Sequence, residues 1–257
     1  MKVFILGTAG YHPNEFRHTA CVMVPELGVV FDAGTSFFRI RDLIATEHLD
    51  IFLSHSHLDH VVGLTYLHDV LWDKSVSRVT VHAMSEKLSV VTENLFHPDL
   101  FPVAPVFANS VLESVTDLGS GVRVTSFPLD HPGGSVGFRL DTPDVSMAYV
   151  TDTTSDADYV SHLQGVDLLI HECYFPDGNE ELARRTGHCC TNHAASVAKR
   201  ASVGMLVLTH INPLNVDEDP IGLDAAREIF PDTHVGVDHM VIDLSCDEVP
   251  NEGEDNQ

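Results

Sequence analysis

The run Ile51-Phe52-Leu53-Ser54-His55-Ser56-His57-Leu58-Asp59-His60 constrains this chain more than any other stretch. An apolar segment that reads as a buried strand stops at three histidines and an aspartate, all ligand types for first-row metals. Val61 to Leu67 then resumes an apolar, helix-like pattern, which places the four ligand types in a tight strand-to-helix turn. Such a turn aims alternate side chains together, His55 and His57 toward one ion, Asp59 and His60 toward another. The alternative is a His-rich solvated loop, and the position directly after a hydrophobic strand argues against it.

The rest of the composition bounds what such a site could serve. At 257 residues the chain has the length of one large domain or two small ones. Hydrophobic content of 44% with 20% charge is ordinary for a globular protein. No apolar run approaches the roughly 18 residues of a membrane span. The opening Met1 to Leu6 is broken by Gly7 and Gly10 too soon for a signal peptide, so the expectation is a cytoplasmic protein with no membrane partner. Five cysteines (Cys21, Cys173, Cys189, Cys190, Cys246) lack framework spacing, which disfavours a disulfide scaffold. Adjacent Cys189 and Cys190 read as small buried residues near a helix start, with redox or metal chemistry as the alternative.

Charge is the strongest compositional statement. Lys and Arg total 14 against 38 acids, for a net charge of −24. Such a surface repels polyanions, and Arg184-Arg185 and Lys199-Arg200 are isolated pairs, not a basic run. A nucleic-acid polymer is therefore disfavoured as a partner.

Taken in order, residues 2–6 read as a strand leading to Gly7-Thr8-Ala9-Gly10, a glycine-punctuated turn that also suits a phosphate. Strands at 20–24 and 28–31 form a hairpin, ending at Asp32-Ala33-Gly34. A helix over 36–46, the strand 51–54, a helix over 61–71, a strand at 78–82 and a helix over 85–96 follow. Residues 96–107 hold three prolines and are irregular, a lid or dimer contact whose apolar residues (Leu100, Phe101, Val103, Val106, Phe107) should be covered. Strands are expected at 111–115, 122–128, 136–140 and 146–150, then a helix at 156–163 and a strand at 166–170 ending in His171-Glu172. A helix at 190–202, a strand at 205–208, a helix at 222–229 and a strand at 234–243 complete the reading. The whole is an α/β domain over 1–246 with two sheets between layers of helices, followed by an acidic, disordered tail at 247–257.

Several expected strands end in metal-competent residues: Asp130-His131, Asp152 and His210 join the 55–60 turn. Polar groups at the ends of buried strands are how a rigid scaffold builds a site. One such histidine alone is ordinary; recurrence at four strand ends is not.

At this point the chain resembles the metallo-β-lactamase superfamily. His55-Ser56-His57-Leu58-Asp59-His60 matches its signature, with His131, Asp152 and His210 for the later ligands. The resemblance implies a four-layered αβ/βα sandwich with a dinuclear site. Zinc is the first choice of metal, and manganese or iron also suit. His55, His57 and His131 would hold one ion, Asp59, His60 and His210 the other, with Asp152 bridging.

Within that superfamily the chain is similar to the ribonuclease Z-like phosphodiesterase branch. The likeness rests on Leu6 to Gly10 with Arg17-His18-Thr19, on Phe31-Asp32-Ala33-Gly34, and on His131-Pro132-Gly133-Gly134 leading to Phe138-Arg139. His171-Glu172-Cys173-Tyr174-Phe175 resembles that branch's His-Glu-Ala-Thr-Phe segment, and His188-Cys189-Cys190-Thr191 leads to Ala194-Ala195 as its His-x-x-Thr-x-x-Ala-Ala segment does. By that likeness His188 faces the scissile phosphate and Glu172 orients it. The tRNA-processing members carry a long, basic-tipped arm, and no Gly/Lys-rich arm occurs between residues 61 and 130 here. His239 also stands where an apolar residue or glycine is usual.

The implied chemistry is attack by a hydroxide shared between two metals. Asp59 ligates and orients that hydroxide, Asp32 fixes an imidazole tautomer from behind, and His188 with Glu172 serves the phosphoryl or leaving oxygen. His171 reads as structural. Arg139 suits either a phosphate or a solvated strand face. His12, His18, His68 and His193 carry no assignment, and His48, His82, His97, His162 and His234 read as surface residues. The expected function is a metal-dependent phosphodiesterase on a small or medium diester, cyclic nucleotide-like or phosphonate-derived. A ribonuclease Z-like endonuclease on tRNA 3′ ends, a lactonase or thioester hydrolase, and a non-catalytic metal-binding module stand as alternatives. A homodimer is open.

Overall fold

The computed structural model describes residues 1–155 and 158–245; the tail assigned to 247–257 lies outside them. The strands are β1 (Lys2–Gly7), β2 (Cys21–Val24), β3 (Val29–Phe31), β4 (His48–Phe52), β5 (Arg78–Ala83), β6 (Ala108–Val111), β7 (Val115–Gly119), β8 (Val122–Leu129), β9 (Ser135–Asp141), β10 (Ser146–Val150), β11 (Leu168–Glu172), β12 (Met205–Thr209), β13 (Thr233–Val235) and β14 (Met240–Asp243). The α-helices are α1 (Leu58–Val61), α2 (Leu67–Val70), α3 (Ser85–Val90), α4 (Glu180–Thr186), α5 (Thr191–Ala201) and α6 (Leu223–Ile229). Contacts divide the chain into two compact units, Met1–Leu112 with the segment from Val237, and Glu113–Gly236.

The first unit holds a seven-stranded sheet in the order β14-β1-β2-β3-β4-β5-β6. Its first half is antiparallel and built on the β2–β3 hairpin, whose Pro25–Leu27 turn closes on Gly28 at φ 64°. From β3 onward the strands run parallel. A parallel strand is covered on both faces, so it reads as a continuous apolar run. In β4, Leu49 and Ile51 enter the core with Leu6, Met23, Val30 and Phe37, while Asp50 and Phe52, also buried, point the other way.

The second unit repeats the scheme in the order β13-β12-β11-β10-β9-β8-β7. Antiparallel β7 to β10 give way to parallel β10 to β13. Its core packs Ala194, Ala195, Val197, Ala198 and Ala201 of α5 with Leu169, Leu206 and Leu208. Small residues let that helix lie close. No helix among the described residues is long and apolar enough to cross a membrane.

Several expectations are corrected. The helix expected over 36–46 is a 3₁₀ segment, Phe37–Leu43, because its buried residues Phe37 and Ile40 recur every three positions. The segment 61–71 is the end of α1, a 3₁₀ turn over Val62–Tyr66 and α2, and the Gly63 amide inside that turn bonds to the Ala33 carbonyl. The 85–96 helix changes to a π turn over Val91–Leu95, which carries Val91 and Leu95 into the core. Helix 156–163 is reduced to Val160–Leu163, with residues 156 and 157 outside the described set.

The strand expected at 111–115 is the ends of two strands, β6 and β7, in different sheets. The same is true of 234–243, which divides into β13 and β14. Asp238 accounts for that break: its carboxylate accepts from the Thr8 amide and hydroxyl, the His18 amide and Arg39. With the Thr8 and Ala9 amides both taken internally, Gly7–Gly10 does not form the phosphate cradle its glycines suggested. Helix α4 went unread because Ala183 is its one buried residue.

Residues 96–107 are irregular, as read. Phe101 and Phe107 pack on Phe96 at ring distances of 5.6 and 5.5 Å. Leu100 is 67% exposed and Val103 and Val106 are also open, against the expected cover. His82 is not a surface residue: it is buried, stacked on Phe52 and 2.9 Å from Asp50 Oδ1.

Candidate metal centre

In the first unit the decisive group is Asp32, directly after β3. Parallel pairing sets Phe31 opposite Phe52, so Asp32 comes level with the residues leaving β4. Its backbone is left-handed at φ 58°, uncommon for a residue with a side chain. One carboxylate oxygen accepts from the Ser54 amide at 2.8 Å, and the other accepts from His60 Nδ1 at 2.8 Å. The Ser54 hydroxyl also donates to Asp32 at 2.8 Å and lies 3.0 Å from His55 Nδ1. One fully buried carboxylate thus orients His60 directly and His55 through Ser54. Both rings are left with Nε2 as the ligand nitrogen.

The His55 ring lies 4.4 Å from His57 and 4.3 Å from His60. Asp59 Oδ2 stands 3.3 Å from His60 Nε2 and accepts the Tyr11 amide at 2.8 Å. Gly34 supports the turn from beneath, since a Cβ there would sit 2.3 Å from the Asp59 carbonyl oxygen.

In the second unit Asp152 and His210 leave the ends of β10 and β12 with left-handed φ of 47° and 56°. His131 leaves β8. The His131 Nδ1 donates to the Gly187 carbonyl at 2.8 Å, which turns Nε2 to within 3.4 Å of Asp152 Oδ2. His210 Nε2 lies 3.1 Å from Asp152 Oδ1. The two oxygens of Asp152 therefore each face a different imidazole, the arrangement a bridging carboxylate needs. Burial pushes the His131 imidazole below its ordinary value, opposed by Asp152. That keeps it neutral, the form in which imidazole binds a metal.

Glu172 ends β11, which takes in the His171-Glu172 pair read at the strand's end, and is fully buried. Oε1 accepts from the Thr153 amide at 2.6 Å and from His188 Nδ1 at 3.1 Å. Burial alone would push its carboxyl up; the charge and hydrogen bond of His188 outweigh this and hold it below the usual carboxylate value. Donor atoms of Asp152, His188 and His210 all lie within 4.8 Å of one another.

The remaining residues sort cleanly. His171 is structural, as read: its Nδ1 donates to the Glu172 carbonyl and its Nε2 accepts from Tyr159. Arg139 sits half-exposed on β9, bonded to Asp141 and the carbonyls of His162 and Gln164. Burial pushes the Cys189 thiol up and raises Cys190 to about 11, leaving both as unreactive packing residues. Asp177, Glu180 and Cys190 also approach one another, but Asp177 accepts the Asn192 amide in the first turn of α5 and Glu180 accepts the Gly178 amide. Ser54 was missed, and so was the Tyr174 ring, which stacks on His188 at 4.6 Å. Ser54 lay in view inside the motif; nothing in the spacing pointed to Tyr174.

The donors are imidazole and carboxylate throughout, the set that suits zinc, manganese or iron. Each ligand ring with a fixed partner presents Nε2, so the residues present fit divalent ions. Residues 28–211 match the family model for the beta-lactamase superfamily domain. A ribonuclease Z from Synechococcus sp. (strain CC9902) is 31% identical over 321 aligned residues, covering 95% of this chain and 98% of that protein. The chain belongs to the beta-lactamase superfamily, in its ribonuclease Z-like branch. Among solved structures, the metallo-beta-lactamase fold protein YhfI from Bacillus subtilis superposes with a TM-score of 0.79 at 18% identity, over 94% of this chain and 98% of its own. Human tRNase Z, short form, does so at 0.73 and 23% identity, over 95% and 99%. The fold is thus the α/β metallo-β-lactamase sandwich, and the superfamily member described here is a metal-dependent hydrolase.

Proposed function

We propose that this superfamily member is a phosphodiesterase acting on a small or medium diester, with its two units working as one catalytic domain. His55, His57 and His131 would hold one divalent ion and Asp59, His60 and His210 the other, with Asp152 between them and zinc the preferred metal. The ions would supply Lewis-acid charge at a phosphoryl oxygen and lower the pKa of attacking water. Asp59 would accept a hydrogen bond from that water. His188, held at Nδ1 by Glu172, would donate from Nε2 to a phosphoryl or leaving oxygen.

The observation that carries this reading is the Glu172–His188 pair beside the Asp152 and His210 donors. An imidazole bonded to a buried carboxylate, next to an aspartate that faces two imidazoles, suits an anionic substrate with several oxygens.

The size of the substrate is argued from charge. With 14 basic residues against 38 acids, few cations remain to neutralise a phosphate backbone. Several are already engaged within the fold: Arg39 on Asp238, Arg78 on Asp50, Arg139 on Asp141, and Arg41 on the carbonyls of Asp69 and Trp72. The 321 aligned positions with the Synechococcus protein exceed the 257 residues of this chain, so that relative carries segments this chain lacks.

The relatives' name supports a second reading, a ribonuclease Z-like endonuclease on tRNA 3′ ends. Metal-reconstituted protein assayed side by side on bis(p-nitrophenyl) phosphate and a precursor tRNA separates the two. Turnover of the small diester with no tRNA cleavage at equal enzyme is the expected result. Efficient 3′ cleavage of the tRNA at nanomolar enzyme would establish the second reading.

A further inference from the structure

We infer that Tyr174 is the positioning residue for His188, a device this chain has in place of the threonine in the resembling His-Glu-Ala-Thr-Phe segment. The inference rests on the phosphodiesterase reading. The Tyr174 ring stacks on His188 with centroids 4.6 Å apart and planes 15° apart. It also meets His210 at 5.7 Å and packs edge-on against Phe175 at 4.8 Å.

One hydrogen bond does not fix an imidazole. The Glu172 Oε1 contact at 3.1 Å sets where His188 Nδ1 sits, and the rings of His131 and His210 lie 5.2 and 5.3 Å from the same imidazole. Tyr174 adds a nearer ring, almost parallel to the imidazole, and offset stacking is one of the two approaches that aromatic rings favour. The source of both constraints is one short stretch. Glu172 ends β11, and Phe175 bridges to Cys190, so the chain between them runs extended. Residues two apart in an extended chain point to the same side. Glu172 bonds the imidazole and Tyr174 stacks on it, and together they aim Nε2 at the space shared with Asp152 and His210, whose donor atoms lie within 4.8 Å. Threonine at this position could fill volume but offers no ring face.

The test compares Tyr174→Phe, Tyr174→Thr and Tyr174→Ala in zinc-loaded protein on bis(p-nitrophenyl) phosphate, with kcat and KM read separately. Threonine and alanine should lower kcat by about tenfold with KM little changed, and phenylalanine should restore it to within about twofold. In a His188→Ala background, Tyr174→Thr should cost nothing more, because its effect passes through that ring. Wild-type kcat in Tyr174→Thr, a loss in Tyr174→Phe equal to that in Tyr174→Thr, or an undiminished loss in the His188→Ala background would overturn the inference. If wild type turns over no diester, the phosphodiesterase reading fails and the stack is decided by NMR of the His188 ring protons. Ring-current shifts kept in Tyr174→Phe and lost in Tyr174→Thr support it; resonances that ignore both substitutions overturn it.

Discussion

His60 Nδ1 lies 2.8 Å from Asp32 Oδ2, and both side chains are fully buried. The same carboxylate reaches His55 through the Ser54 hydroxyl. Two proposed ligands, one for each ion, therefore depend on one acid outside the ligand set. Asp32→Asn keeps the shape but offers an amide where an acceptor is needed, and should weaken metal binding by roughly 10–100-fold. Chelator competition measures this. Unchanged affinity would show that Asp32 only closes its turn.

Gly34 has no room for a side chain. A Cβ would fall 2.3 Å from the Asp59 carbonyl oxygen and 2.4 Å from Thr19 Oγ1. Gly34→Ala should displace the 55–60 turn, costing about 1–3 kcal/mol of stability and metal affinity with it. Denaturant unfolding and metal titration on the same preparation check both; a variant with normal stability and affinity would contradict the packing.

His188→Ala removes the proposed donor. Its kcat should fall by about 10²–10⁴-fold while metal content stays at the wild-type value. Glu172→Gln should also lower kcat, because an amide holds the His188 Nδ1 less firmly than the carboxylate does. Metal lost together with activity in His188→Ala would make His188 a ligand instead.

A half-buried histidine gives a pH prediction away from the metals. His193 is driven down to about 4 by burial, with His171 adding to the fall. Its Nε2 lies 3.2 Å from the Tyr159 hydroxyl, which in turn meets His171 at 2.7 Å. The unfolded chain protonates this histidine near 6.5, so between there and about 4 it binds a proton that the fold does not. Stability contributed by the neutral ring is present above pH 6.5 and is lost as pH falls toward 4, on the order of 2–4 kcal/mol. Urea midpoints at pH 8 and pH 5 should differ less in His193→Gln than in wild type. Equal differences would remove His193 as a source of acid lability.

Most strands were legible because parallel, doubly covered segments are continuous apolar runs bounded by turn residues, as in β4, β11 and β12. The proposed ligands after β4, β10 and β12 were legible for the same reason, while His131 follows the antiparallel, alternating strand β8. The misreadings have common causes. Residues 111–115 and 234–243 looked like single strands because sheet membership is not written in local pattern; there a chain crosses between sheets within a few residues. The His-rich surface reading failed at His82 because a buried imidazole needs only Asp50 on a neighbouring strand, and that pairing is tertiary. Tyr174 and Ser54 act through geometry two residues away or through a neighbour's side chain, which spacing alone does not record.

The central claim, a metal-dependent diesterase, is tested most directly by titrating metal-free protein with zinc while following hydrolysis of bis(p-nitrophenyl) phosphate. Activity should rise from background to a plateau near two equivalents and should be absent at every loading in His57→Ala. Hydrolysis that ignores added metal, or a His57→Ala protein that reaches the wild-type plateau, would contradict it.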